Sequence, residues 1–248
     1  MDTIQSDEAL RIFIINHLGK SLGEHAILKG GMVLRLLDCP RYTNDLDYVF
    51  IPFKSKREIQ PLIMKTLGEL EGVEVKHRFH STNVQFDVML KNRFGTFKTQ
   101  IEANVADTCA AQAMTTGDVA LQFQQAPQII RVMRFDVMLA HKLAAWNERR
   151  LMRDLYDAYF IFKHLNVSPH LDVLRLRLED IHYAKSISGK SLPKKMSLEK
   201  FWKLLASELK TLTDADLEHE LRDSLEEHQL LGLDHKIRIV LTQMMEQI

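Results

Sequence analysis

Cysteine is nearly absent from this chain of 248 residues: Cys39 and Cys109 are the only two. They lack the CxxC spacing of a zinc site and are too few for a disulfide framework, which points to a reducing compartment. Glycine and proline are sparse and scattered, so no low-complexity tract, repeat or linker interrupts the chain. An excess of charge is missing too, because 33 basic side chains balance 33 acidic ones. Any polyanionic partner must therefore be met by a local patch and not by a global field. No apolar run approaches the roughly 20 residues needed to cross a bilayer. Asp2, Asp7 and Glu8 stand where a signal peptide would be basic. The expectation is a cytoplasmic protein with no membrane partner.

Nearly half the residues are apolar, enough for a sizeable core, and the hydrophobic period divides the chain near residue 130. Residues Glu8 to Leu22 have helical spacing, and Ile27-Leu28 then leads through a turn into Gly30-Gly31. A short helix follows, ended by Pro40, and Leu46 to Ile51 has the β-branched and aromatic content of a strand. Ile59 to Leu70 reads as a helix. Val73 to Phe79, Val84 to Leu90 and Phe97 to Val105 read as strands, with Gly95 in the last turn. After Ile129-Ile130 helical patterns take over: Phe135 to Leu165, Leu171 to Ser186, Leu198 to Leu209 and two more near the C-terminus. The fold class is α+β, with an α+β domain at 1–130 holding a short mixed sheet flanked by helices, and a helical domain at 131–248.

The strongest chemical signal is Gly30-Gly31, thirteen residues, then Asp45-Leu46-Asp47 at the start of an apolar strand. Glycines let a backbone approach phosphate oxygens, and the following helix N-terminus offers them N–H groups and partial positive charge. Carboxylates at i and i+2 on a strand share a face, so both can coordinate hard divalent cations. Two such ions about 3.5–4 Å apart activate an attacking hydroxyl and steady a leaving pyrophosphate. A third carboxylate is usually needed. Glu102 is the first choice, an acid among apolar strand neighbours, and Asp87 competes with it.

Leu28-Lys29-Gly30-Gly31-Met32-Val33-Leu34-Arg35, followed by Arg41-Tyr42-Thr43-Asn44-Asp45-Leu46-Asp47, resembles the nucleotidyltransferase superfamily that includes DNA polymerase beta. More narrowly it is similar to the AbiEii/AbiGii toxin family of bacterial toxin–antitoxin and phage-abortive systems. Met32 stands where that family commonly has threonine. Lys142 to Arg149 and Arg153 to Asp157 resemble the family's signature in its helical half. The resemblance implies that Lys142 contacts nucleotide phosphates, and that Asp154 acts near the attacking hydroxyl or holds the lysine and arginines in position. Arg149 and Arg153 would supply further cations. It also implies a metal–triphosphate complex with two Mg2+ on Asp45, Asp47 and Glu102, in a cleft between the domains. The implied acceptor is RNA, in particular the tRNA 3′ end, and a cognate antitoxin is expected. The alternatives are a protein or small-molecule acceptor, or a nucleotide-binding module that transfers nothing.

Three other features have plainer readings. Arg150 with Asp154 and Arg153 with Asp157 are i, i+4 pairs suited to an exposed helix face. Lys185, Lys190, Lys194, Lys195, Lys200 and Lys203, with Phe201 and Trp202 beside them, either grip an RNA backbone or form a solvated loop and amphipathic helix. The acidic run from Asp214 to Glu227 reads as an exposed face, and His141 as an ordinary helix residue.

Overall fold

The computed structural model describes residues 4–180 and 195–248. The chain divides into two compact units, Met1–Arg134 and Phe135–Ile248. The first is mixed: α1 (Asp7–Leu22), β1 (Ala26–Lys29), α2 (Gly31–Arg35), β2 (Asp45–Phe50), α3 (Lys56–Gly68), β3 (Val73–Phe79), β4 (Val84–Asn92), β5 (Gly95–Val105), β6 (Ala111–Thr115), α4 (Gly117–Gln122) and β7 (Ile129–Met133). The strands form one seven-stranded sheet in the order β3-β4-β5-β2-β1-β7-β6. β1 with β7 and β2 with β5 run parallel, and the remaining neighbours antiparallel.

One face of this sheet is apolar and carries the core. Leu46, Tyr48 and Phe50 of β2, Ile101 and Ala103 of β5, and Val84, Phe86, Val88 and Leu90 of β4 are all buried. Helix α1 packs against β1, β5 and β7. Its start is set by Ser6, whose hydroxyl accepts from the Ala9 N–H at 3.0 Å, and by Asp7 and Glu8 in the first turn. Leu10, Ile12, Ile14, Ile15 and Leu18 are fully buried, so α1 is enclosed on almost every side. Because side chains alternate along each strand, the residues between those core positions fall together on the opposite face. That second face is polar.

The second unit contains α5 (Phe135–Arg149), α6 (Met152–Leu165), α7 (Leu171–Glu179), α8 (Leu198–Thr211), α9 (Asp214–Leu221), α10 (Glu227–Leu230) and α11 (Leu233–Glu246). Among the described residues it has no strand.

The structure departs from the sequence reading at three places. Ile27-Leu28 lies in strand β1 and not in a turn. Strands β6 and β7, with α4 between them, had no clear signal. The long pattern from Phe135 to Leu165 is two helices, because Arg150 turns left-handed (φ 58°) and Leu151 is extended. The expected helix to Ser186 is seen to Glu179, and its continuation lies outside the described residues together with Lys185, Lys190 and Lys194. Among the described residues no helix is long and apolar enough to cross a membrane.

Candidate active site

Register assembles the polar face. Lys29 of β1 pairs with Asp47 of β2, Asp47 with Glu102 of β5, and Glu102 with Gln85 of β4. One row along, Asp45 pairs with Gln100, and Gln100 with Asp87. The two aspartates of the DLD segment and the glutamate thus share one side of the sheet, although 55 positions of chain separate Asp47 from Glu102.

Gly30 opens the α2 turn with φ +76°, ψ −157°, a conformation that L-residues rarely adopt. A Cβ there would run into the Asp47 carboxylate, so backbone and acid are in direct contact. At Gly31 a Cβ would stand 2.8 Å from Arg41 Nη2 and 3.1 Å from Thr43 Oγ1. The glycine pair is therefore required from both sides, by Asp47 and by the Arg41–Thr43 segment. Helix α2 begins at Gly31, and its first N–H groups, which have no acceptor within the helix, lie at this turn.

The electrostatics are those of crowded negative charge with a lysine beside it. Lys29 Nζ is 3.9 Å from Asp47 Oδ1. Burial, then the charges of Asp47 and Asp45, push the Glu102 carboxyl above the usual carboxylate range, while Lys29 and the Asn83 amide pull it back. Asn83 Nδ2 donates to Glu102 Oε2 at 2.9 Å, and Gln100 Nε2 to Oε1 at 3.3 Å. Asp87 is in a different situation. Hydrogen bonds from Gln85 (2.7 Å) and Arg78 (3.0 Å) hold its carboxyl below the ordinary value. Of the two candidates for third carboxylate, Glu102 feels the aspartate pair, and Asp87 is already matched by an arginine. The donors Asp45, Asp47 and Glu102 are hard oxygens whose mutual repulsion a divalent cation would relieve, so they fit one chemically. Among the described residues no three His, Cys, Asp or Glu side chains already converge on one point, so the set is a line of donors and not a closed cage.

The helical unit gathers the second group of expected residues. Lys142 Nζ lies 2.6 Å from Asp157 Oδ2 and 3.6 Å from Asp154 Oδ1. Arg149 grips Asp154 through Nε at 3.1 Å and Nη2 at 2.6 and 2.7 Å. Asp154 and Asp157 are 1% and 0% exposed. The i, i+4 pairing of Arg150 with Asp154 fails because the chain breaks between them, and Arg150 instead lies over the Trp146 ring, 4.6 Å from its centroid. Arg153 is exposed at the start of α6, where Glu220 accepts from the N–H groups of Met152 (2.7 Å) and Arg153 (3.4 Å). Glu220 belongs to the acidic run, and others of that run also cap helices: Asp216 closes a capping box with Thr213, and Glu226 one with Gln229. Phe201 of the basic run is fully buried against Trp146, which removes it as a stacking platform.

Two residues acquire a place that sequence alone did not suggest. Lys29 stands in the carboxylate row, and strict alternation backward from Gly30 along β1 was the only signal for it. Asp157 is closer to Lys142 than Asp154 is, a choice that helical spacing could not make.

Residues 18–239 match the profile described as "Nucleotidyl transferase AbiEii toxin, Type IV TA system", and the chain belongs to that family. It is thus a toxin-type nucleotidyltransferase, and membership implies a nucleotide substrate and a partner antitoxin. No curated protein gives a significant sequence match. Among solved structures, JHP933 from Helicobacter pylori is 15% identical with a TM-score of 0.58, over 99% of this chain and 94% of that one. MenT4, a nucleotidyltransferase toxin from Mycobacterium tuberculosis, is 14% identical with a TM-score of 0.50, over 94% and 92%. At such identities the likeness is one of fold.

Proposed function

We propose that the chain transfers a nucleoside monophosphate from a triphosphate to an RNA 3′ end, in particular that of tRNA, and so blocks the acceptor. The observation that carries this reading is the row Lys29–Asp47–Glu102, with Gly30 pressed against Asp47 at the mouth of α2. Triphosphate oxygens lie over Gly30 and Gly31, where backbone N–H groups receive them. Asp45, Asp47 and Glu102 would hold Mg2+, two ions in the full complex. When bound, the metal lowers the proton affinity of the acceptor hydroxyl and offsets charge on the phosphates. The hydroxyl oxygen enters in line at the α-phosphorus and gives up its proton to solvent. The bond from that phosphorus to the bridging oxygen breaks, and pyrophosphate leaves.

In this reading Lys142, Arg149 and Arg153 neutralise phosphate charge. Asp154 serves as a holder, because its two oxygens are engaged by Arg149 and approached by Lys142. The test is incubation of the purified protein with total RNA, magnesium and each nucleoside triphosphate radiolabelled at the α-phosphate, resolved on a denaturing gel. The expected result is a labelled band of tRNA size that Asp45→Ala abolishes. Label on protein or on a small molecule, with none on RNA, would overturn the RNA acceptor.

A further inference from the structure

The polar face has two sides about the aspartate pair. Toward β1 lie Lys29 and the glycine turn. Toward β5, β4 and β3 opens a pocket of about 740 Å³, lined among others by Arg11, Asp45, Lys76, Lys98 and Gln100. Arg11 is the unusual member. It projects from α1, is 1% exposed, and has no carboxylate partner among the described residues. Its Nη2 donates to the Tyr42 hydroxyl at 2.6 Å, its guanidinium carbon is 5.3 Å from the centre of that ring, and its Nε has no acceptor.

Among the described residues, other buried charges are matched, as Glu148 is by Arg177 at 2.8 Å, Asp154 by Arg149 and Asp157 by Lys142. A buried guanidinium with spare donors is costly unless an anion completes it. Three of the carboxylates around the pocket are engaged by other groups. Asp87 is held by Arg78 and Glu74 by Lys91, and Asp7 accepts from the Lys98 backbone N–H at 2.8 Å. Lys76 and Lys98 are exposed at the rim and take part in no ion pair among the described residues.

We propose that this pocket is the acceptor subsite: it takes the terminal nucleotide of a polynucleotide, with a phosphate on Arg11 and neighbouring phosphates on Lys76 and Lys98. The proposal rests on the transfer reading above. In-line displacement puts the entering and leaving oxygens on opposite sides of the phosphorus. With pyrophosphate over the glycine turn, the acceptor enters from the side of β5, where Asp45 borders the pocket. The volume falls within the roughly 300–1,000 Å³ of sites that hold small ligands. Gln100 and Thr99 give it neutral hydrogen-bonding groups for a sugar or base.

The experiment measures binding and needs no turnover. The full chain is titrated against a short fluorescein-labelled oligoribonucleotide with a free 3′-hydroxyl, at several salt concentrations, and separately against a non-hydrolysable triphosphate analogue. Lys76→Gln with Lys98→Gln weakens oligonucleotide binding about tenfold and flattens its salt dependence by about two phosphate contacts. Analogue binding stays unchanged. Arg11→Met also weakens the oligonucleotide while its melting temperature holds or rises, because an unmatched buried charge has been removed; Arg11→Lys recovers part of the affinity. Unchanged oligonucleotide affinity in the folded double variant overturns the proposal, as does a wild-type protein that fails to bind the oligonucleotide. Loss of analogue affinity instead assigns the pocket to the triphosphate. If the variants lose oligonucleotide binding as expected but the radiolabel experiment shows no transfer, the transfer reading fails and with it the acceptor role, while the pocket is left as a polynucleotide-binding site.

Discussion

The two groups of acidic residues in this protein are held in opposite ways. On the sheet, Asp45 is exposed, Asp47 has a lysine 3.9 Å away, and Glu102 is pushed up by burial and by the charges of Asp47 and Asp45. In the helical unit, Asp154 and Asp157 are buried and closely paired. In the function proposed above, charge that strands crowd together on an open face is what a metal–triphosphate complex would relieve. Matched charge sealed inside helices is scaffold, which fixes the cations that border it.

The comparison can be broken by substitution. The largest effect is expected for Asp47→Asn, which keeps the shape of the side chain: transfer falls by orders of magnitude while the melting temperature stays nearly constant. Unchanged magnesium-dependent transfer would remove Asp47 from the chemistry. Asp157→Ala does the reverse. It leaves Lys142 half-matched in a buried setting and costs about 3 kcal/mol in denaturant unfolding; a loss near zero would show that the pair is not scaffold. Gly30→Ala combines the two effects, since it strains a left-handed backbone and displaces the Asp47 carboxylate. It is expected to cost about 1–3 kcal/mol, with transfer lost beyond what the unfolded fraction explains.

The smallest effect concerns the burial and crowding of Glu102 together. Because the Glu102 carboxyl titrates higher in the folded protein than in the unfolded chain, the folded state holds the extra proton between those two values. Stability therefore falls as pH rises through that window and levels off above it. Glu102→Gln removes the penalty, so the melting curves of variant and wild type agree at acid pH and separate at neutral pH, with the variant higher. A constant separation at every pH would mean that folding does not raise the Glu102 carboxyl.

Where local chemistry decides structure, the sequence was legible. The DLD strand, the glycine turn and the helix after it depend on alternation, β-branching and backbone freedom within a few residues. Strand β1 is too short for a pattern, with three of its four residues buried on both faces, so nothing alternates. The break at Arg150-Leu151 has no glycine or proline to mark it. What sets Glu102 apart from Asp87 is the parallel register of β2 on β5, a relation between distant segments. The basic run misled in part, since Phe201 is core and not surface. Arg11 did leave a trace: it is a lone charge between Leu10 and Ile12 in a helix that is otherwise apolar over most of its length.

The strand order bears on how the protein comes into being. β1, which leads into the glycine turn, is completed on one side by β7, and β2, which carries the aspartates, by β5. Both partners are synthesised well after the strands they support, and β7 ends only at Met133. Pairings between segments so far apart in sequence form late, because a long loop must close first. A nascent chain that already displays both aspartates and both glycines still lacks the sheet that aligns them, so the row of carboxylates is complete only once the whole first unit has emerged.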